Sequence, residues 1–465
     1  MAKLSTALKN NAGSNISFAS ADNVAKKFLL TSAFYLILVT VLGIIMSIKL
    51  VAPDAIPGAF GFIEMRALHL QVIIFGWLSM VLMGAMYYII PRVVERDLFS
   101  KAMGNLHYYL MHVGIVLVAV SILGGQLDGR EYLEPVIWVD AAIAVVWVIF
   151  AVNIFTTVFK GNIPEHSPVL NFLLLSILYL GLNFVWCNFI PWEGVRDNLA
   201  IWTFAHNEVN GWFMFGLQGI FYFMVPKLTG TEGKHVYPEV LSKVHFWFVA
   251  VFIPPSVLHH LLYKDAPVNM FWKLMGEWTS VGMLIPTFIW FYIITVSVRN
   301  SQKSLGVVGK FVVATMIFYV MNCIQGSSQS IRFINDFVHG SQWVVGHAHL
   351  ALLGFISFGM FSIVYWMVKT YWGECYNEKM ASLHYWLVMI GFLGMFIPLT
   401  IAGIIEGTMD GENFYTVHEA IKPYLVARAF SGAVTTLASI VFAINIYKVI
   451  KISRSQGIDS TTRSA

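Results

Sequence analysis

Stretches of about 20 mostly apolar residues follow one another along the whole 465-residue chain, each long enough to cross a hydrocarbon layer as one helix. About twelve are legible, at 28–50, 68–90, 107–126, 136–159, 169–190, 199–225, 244–263, 274–298, 310–329, 346–369, 384–405 and 424–449. No alternation suited to a β-barrel appears, and a helical bundle is the other way to satisfy a backbone in lipid. The expected fold class is therefore all-α: a polytopic membrane bundle of about 12 helices, one domain over residues 1–465, with short tails near 1–27 and 450–465.

Composition agrees. Charged residues make up 12% of the chain, against about 25% in a soluble domain. The net charge of +4 reads as loop charge rather than nucleic-acid affinity, so lipid is the expected surrounding partner. Cys187, Cys323 and Cys375 show no paired spacing, which argues against a disulfide framework or a cysteine metal site. The first 25 residues lack an apolar stretch behind basic residues, so no cleavable signal peptide is expected. Basic residues gather in alternate connections: Lys3, Lys9, Lys26 and Lys27; Arg92, Arg96 and Lys101; Lys227, Lys234 and Lys243; Arg299, Lys303 and Lys310; Lys448, Lys451, Arg454 and Arg463. The positive-inside rule then places both termini in the cytoplasm of a bacterial or archaeal cell, with the chain in the plasma membrane.

Of the histidines inside or at the edges of these spans, six share one depth. With that orientation, His69, His206, His259, His260, His347 and His349 all reach the outer third of the membrane, from four helices. An ionisable group in hydrocarbon usually faces a bundle interior and has a function there. Imidazole binds heme iron and copper through a neutral ring nitrogen. His347 and His349 are two apart on a helix, so their rings point about 200° from each other and one helix can serve two hemes. His69 is the natural second ligand of a heme closed to substrate. His206, His259 and His260 remain as a three-nitrogen site for copper or a non-heme metal facing an open heme. A lone histidine such as His112 is expected only to bond a neighbouring helix. A proton-coupled transporter would instead carry intramembrane acids, lysines and broken helices in paired halves, and these are sparse.

The segments Arg66-Ala67-Leu68-His69, Ala205-His206-Asn207-Glu208-Val209, Leu258-His259-His260 and Gly346-His347-Ala348-His349 together resemble the catalytic subunit I of the heme–copper oxygen and nitric oxide reductases. Their order and spacing look like the C-type (cbb-type) oxidases, with nitric oxide reductases similar in layout. The resemblance implies His69 and His349 on a low-spin heme, and His347 on a high-spin heme. It puts His206, His259 and His260 on copper (CuB), or on non-heme iron in the alternative. The hemes are expected to be b-type.

Which gas is reduced depends on a few positions. C-type oxidases use a tyrosine cross-linked to a copper-ligand histidine, and Tyr319 lies at the matching distance before His347, which favours O2. Nitric oxide reductases place a glutamate where this chain has Asn210, a poorer iron ligand. His339-Gly340-Ser341-Gln342 resembles a nitric oxide reductase stretch, and C-type oxidases have acids where Gln325 and Gln342 stand. Reduction of NO with Asn210 as a substitute ligand is thus the alternative. Glu208 is a candidate proton donor, since a buried carboxyl at that offset suits the task. Thr315 and Asn322 are further proton-path candidates. Arg66 and Trp343 flank heme-ligand segments and are candidate propionate contacts. No Cys-x-x-Cys-His occurs and no dicopper cysteines exist, so electrons are expected from a c-type cytochrome or cupredoxin subunit, or from a quinol.

Overall fold

A computed structural model describes residues 16–56, 61–232, 238–263, 266–373 and 376–455. Lys3, Lys9, Lys234, Cys375 and Arg463 lie outside them. Among the described residues every element is a helix, apart from an isolated bridge between Leu127 and Pro135. The long helices are α1 (Ala19–Val51), α2 (Phe62–Val93), α3 (Lys101–Leu123), α4 (Ile137–Phe159), α5 (Pro168–Phe189) and α6 (195–229). They continue as α7 (Glu239–Leu261), α8 (Met270–Arg299), α9 (Gly306–Gln329), α10 (Gln342–Trp372), α11 (Glu378–Thr408) and α12 (Phe414–Ser455). A short helix, Arg332–Val338, joins α9 to α10.

Each expected span coincides with one of these helices. Eleven are long and apolar enough to cross a membrane, which makes the chain a polytopic membrane protein. The exception is α6, which is long enough but carries His206, Asn207, Glu208, Asn210 and Gln218 inside its apolar sequence. The helices also run further than the apolar windows suggest: α1 begins at Ala19 rather than 28, and α12 at Phe414 rather than 424. At α1 the reason is tertiary. The Asp97 carboxylate accepts from the backbone of Ser20 and Ala21 at the first turn, and Asp22 pairs with Arg92 at 3.0 Å. Side-chain caps fix other starts, including Ser100, Ser167, Ser341 and Asn377.

The bundle is apolar on its outside as well as in its core. Leu182, Trp278 and Val120 on outer helices are exposed, whereas α2 and α10 are almost wholly enclosed. Such a distribution suits helices that meet lipid on one face and neighbours on the other. The chain closes on itself, with α12 packed against both α11 and α1.

Sequence inspection shows no repeat, yet the structure contains one. Helices α2, α6 and α10 each hold a stretch of wide π-helical turns, at Val72–Leu78, Glu208–Met214 and Leu350–Ser357. Inside each stretch lies a glycine (Gly76, Gly211 and Gly354) against an aromatic ring of a neighbouring helix: Tyr35, Tyr179 and Phe392 respectively. Eleven residues on comes a tyrosine whose hydroxyl bonds a buried histidine of the next helix. The pairs are Tyr87 with His107 at 3.0 Å, Tyr222 with His245 at 2.9 Å, and Tyr365 with His384 at 3.2 Å. Three equivalent helices thus run the same way, and each begins at the end of the bundle where the ligand candidates lie.

Candidate metal centre

The six histidines gather at one end of the bundle. Helices α2, α6 and α10 start there, and α7 finishes there in a tight 3-10 turn, Val257–Leu261, after Pro254 and Pro255. Asn335 holds that turn by donating to the His259 carbonyl at 3.0 Å. Gly276 of α8 permits the close approach, since a Cβ there would meet the backbone of Leu258 and His259 at 3.0 and 3.1 Å.

One ligand atom from each of His206, His259 and His260 can be chosen so that all lie within 4.8 Å of one another. The Nε2 atoms of His259 and His260 are 3.2 Å apart. His206 Nδ1 is buried and has no partner among the described residues. Outer partners orient the rings: Ser280 meets His259 Nδ1 at 3.0 Å, Ser256 meets His206 Nε2 at 3.3 Å, and Trp202 stacks on His260 with centroids 4.2 Å apart. These second partners were not legible in sequence.

The three rings line a cavity with about 1170 Å3 of space between protein atoms, some of it open to solvent. His347 also lines the cavity, with its ring beside Gly326. Its Nδ1 meets Gln325 Oε1 at 3.2 Å, and Trp343 stacks parallel to it at 5.7 Å. His347 acts electrostatically on all three clustered histidines. His349 turns the other way and interacts with His69. Its Nδ1 donates to the Val345 carbonyl at 2.8 Å, and His69 Nδ1 donates to Val39 at 2.9 Å. Each of these rings therefore keeps Nε2 for a ligand. Gly43 of α1 lies against His69, where a Cβ would come within 3.0 Å of the ring.

Other expected site residues fall into two groups. Glu208 and Asn210 line the cavity, as does Asn322. Glu208 is buried, and its Oε1 has no partner among the described residues. Asn210 turns its amide nitrogen to the His206 carbonyl at 3.0 Å. Tyr319, by contrast, is not brought to the three-histidine cluster. It is fully buried on α9 against Trp290 and Phe355, and Gln218 donates to its hydroxyl at 3.3 Å. Cys323, one turn further along α9, takes the place on the cavity wall. Thr315 donates to the Phe311 carbonyl at 2.7 Å. Arg66 binds the Glu131 carboxylate and lies over the Tyr132 ring at 5.8 Å, so it pins the loop between α3 and α4. Tyr132 of that loop reaches the cavity wall with a left-handed backbone (φ 67°), an unusual conformation for a bulky residue. His112 bonds Tyr35 of α1 at 2.6 Å, the structural role expected of it.

Residues 23–434 match the family described as Cytochrome C and Quinol oxidase polypeptide I. The chain belongs to that family. Among curated members, a cytochrome c oxidase subunit 1 homolog of Agrobacterium tumefaciens is 26% identical over 92% of this chain and 84% of its own length. The Cbb3-type cytochrome c oxidase subunit CcoN1 of Stutzerimonas stutzeri is 26% identical over 97% of this chain and 99% of its own. A nitric oxide reductase subunit of the same organism is 24% identical over 82% and 84%. A solved heme–copper terminal oxidase dimer shares the fold, with a TM-score of 0.75 and 15% identity over 91% of this chain and 84% of that one. The chain is thus a subunit I of the heme–copper oxidoreductases, a family that carries hemes and a copper ion. Its residues fit such groups: an orphaned buried imidazole nitrogen beside two others suits a metal, and three rings with Nδ1 engaged and Nε2 free suit axial ligation.

Proposed function

We propose that this chain is the catalytic subunit of a terminal respiratory reductase that passes electrons to O2 and forms water. The observation that carries the reading is the split on α10: His347 lines the cavity that His206, His259 and His260 also line, while His349 is not part of that lining and lies near enough His69 to interact with it. His69 and His349 would hold the low-spin heme, His347 the high-spin heme, and the three clustered histidines copper. When bound, these groups supply one-electron transfer and the reducing equivalents for the gas. The protein separates the two tasks by ring direction alone, because one helix presents the imidazoles to opposite sides.

Protons reach the cavity through Glu208. Its acidic neighbour is Glu134 of the loop between α3 and α4, a carboxyl pushed up from its ordinary value by burial. Gln71 of α2 donates to Glu134 at 2.8 Å. Trp343 fixes the His347 ring by stacking, and Arg66 orders the loop that carries Glu134. Both termini lie in the cytoplasm, the cavity lies towards the outer face, and the hemes are b-type. Electrons come from a c-type cytochrome or cupredoxin subunit, or from a quinol.

A second reading, reduction of NO to N2O, is favoured by two placements. Tyr319 makes no contact with the histidine cluster, and Asn210 stands on the cavity wall beside His206. Asn210 would then be a ligand of non-heme iron. Metal analysis of the purified complex with oxygen and nitric oxide electrodes decides between them. Copper with oxygen uptake supports the first reading. Non-heme iron with N2O as product replaces it with the second.

A further inference from the structure

Glu406 stands near the C-terminal end of α11 and belongs to none of the functional assignments above. Its Oε2 accepts from the backbone N–H of Gln342, the first residue of α10, at 2.5 Å. The first N–H groups of a helix have no intrahelical partner and need one from elsewhere. Ser341 meets the next two, through its hydroxyl for Trp343 at 3.2 Å and its carbonyl for Val344 at 3.1 Å. Of these three caps, only that from Glu406 comes from another helix. The Gln342 side chain does not replace it, since its own Oε1 is buried without a partner among the described residues. The packing around the cap is tight. A Cβ on Gly403 would overlap the Trp343 backbone, and one on Gly407 the Phe337 carbonyl. Both glycines share the face of α11 that carries Glu406.

We propose that Glu406 is a positioning residue: by pinning the start of α10 it sets the aim of His347 and His349. The inference rests on the reading above that these two rings are heme ligands. They lie five and seven residues past Gln342, in a regular segment, Gln342–His349, that wide π-helical turns follow at once. Such turns break the 3.6-residue period, so the rest of α10 does not fix the register of the ligand segment. The register is set at the front, where Glu406 ties it to α11. Axial ligation tolerates only small displacements, about 0.5 Å at a preorganised site. Without the carboxylate the first turn loosens, and both rings turn with it. Reach decides the effect, since the N–H needs an acceptor at this place rather than a negative charge.

The test is resonance Raman and electron paramagnetic resonance spectroscopy of the full complex carrying Glu406→Asp, Glu406→Gln or Glu406→Ala. Glu406→Asp keeps the charge but withdraws the acceptor by one methylene, whereas Glu406→Gln loses the charge and keeps the acceptor. Glu406→Asp and Glu406→Ala should shift the iron–histidine stretching band of the reduced high-spin heme and the g-values of the low-spin heme. Turnover should fall about tenfold with them. Glu406→Gln should restore both signatures to those of wild type. Wild-type spectra in assembled Glu406→Asp overturn the proposal, and so does Glu406→Gln shifted as far as Glu406→Asp. If neither shortened variant assembles, altered spectra in Glu406→Gln overturn it instead. A wild-type complex with no iron–histidine band and no six-coordinate heme would sink the functional reading, which keeps the two failures apart.

Discussion

His347 and His349 differ by two positions, and that spacing lets a single helix serve two cofactors. The account predicts that their substitutions separate cleanly. His349→Ala should remove the low-spin heme spectrum and leave carbon monoxide binding at the other heme, whereas His347→Ala should abolish that binding. Loss of both signals in either variant would contradict the opposed geometry. Glu208 is argued in the same way, from a buried carboxylate oxygen with no partner on the cavity wall. Glu208→Gln should slow turnover by roughly a hundredfold, the usual range for a lost proton-transfer group, with heme spectra intact; unchanged turnover removes it from the proton path. The six histidines were legible in sequence because imidazoles are conspicuous in apolar helices. Ser256, Ser280 and Trp202 were not, because ordinary polar and aromatic residues acquire meaning only from neighbours far along the chain. Tyr319 shows the converse: its distance before His347 suited a catalytic tyrosine, but its place on α9 points it at Gln218, and Cys323 faces the cavity.

At the level of elements, the site depends on close helix packing around α10. Gly403 of α11 lies against the Trp343 backbone and Cβ, so any added Cβ must displace α10 just before its ligand pair. Gly403→Ala should therefore destabilise the protein by about 1–3 kcal/mol and lower the temperature at which the Soret band is lost. A variant as heat-stable as wild type would show that α10 can move aside without cost. Helix count and order were readable from apolar length alone. The π-helical turns were not, since no residue type marks them. Such turns cluster at functional sites, and here each follows shortly after a candidate ligand: His69, His206 or His349.

Across the molecule, the three-part arrangement of α2, α6 and α10 explains why ligands widely separated in sequence meet at one depth. Its sequence trace is a glycine and a tyrosine recurring at long intervals, too sparse to be seen as a repeat. The closed ring of lipid-facing helices encloses the cavity, and α6 gives up part of its apolar character to line it. The central claim is that two rings on α10 serve two chemically different hemes, with one further ion facing only one of them. Optical and carbon monoxide difference spectra of the purified complex, with metals counted on the same sample, test it most directly. The account predicts two hemes per chain, of which one binds carbon monoxide, and one additional metal ion. A preparation from the native host with no Soret band, or one whose hemes both bind carbon monoxide, would contradict it.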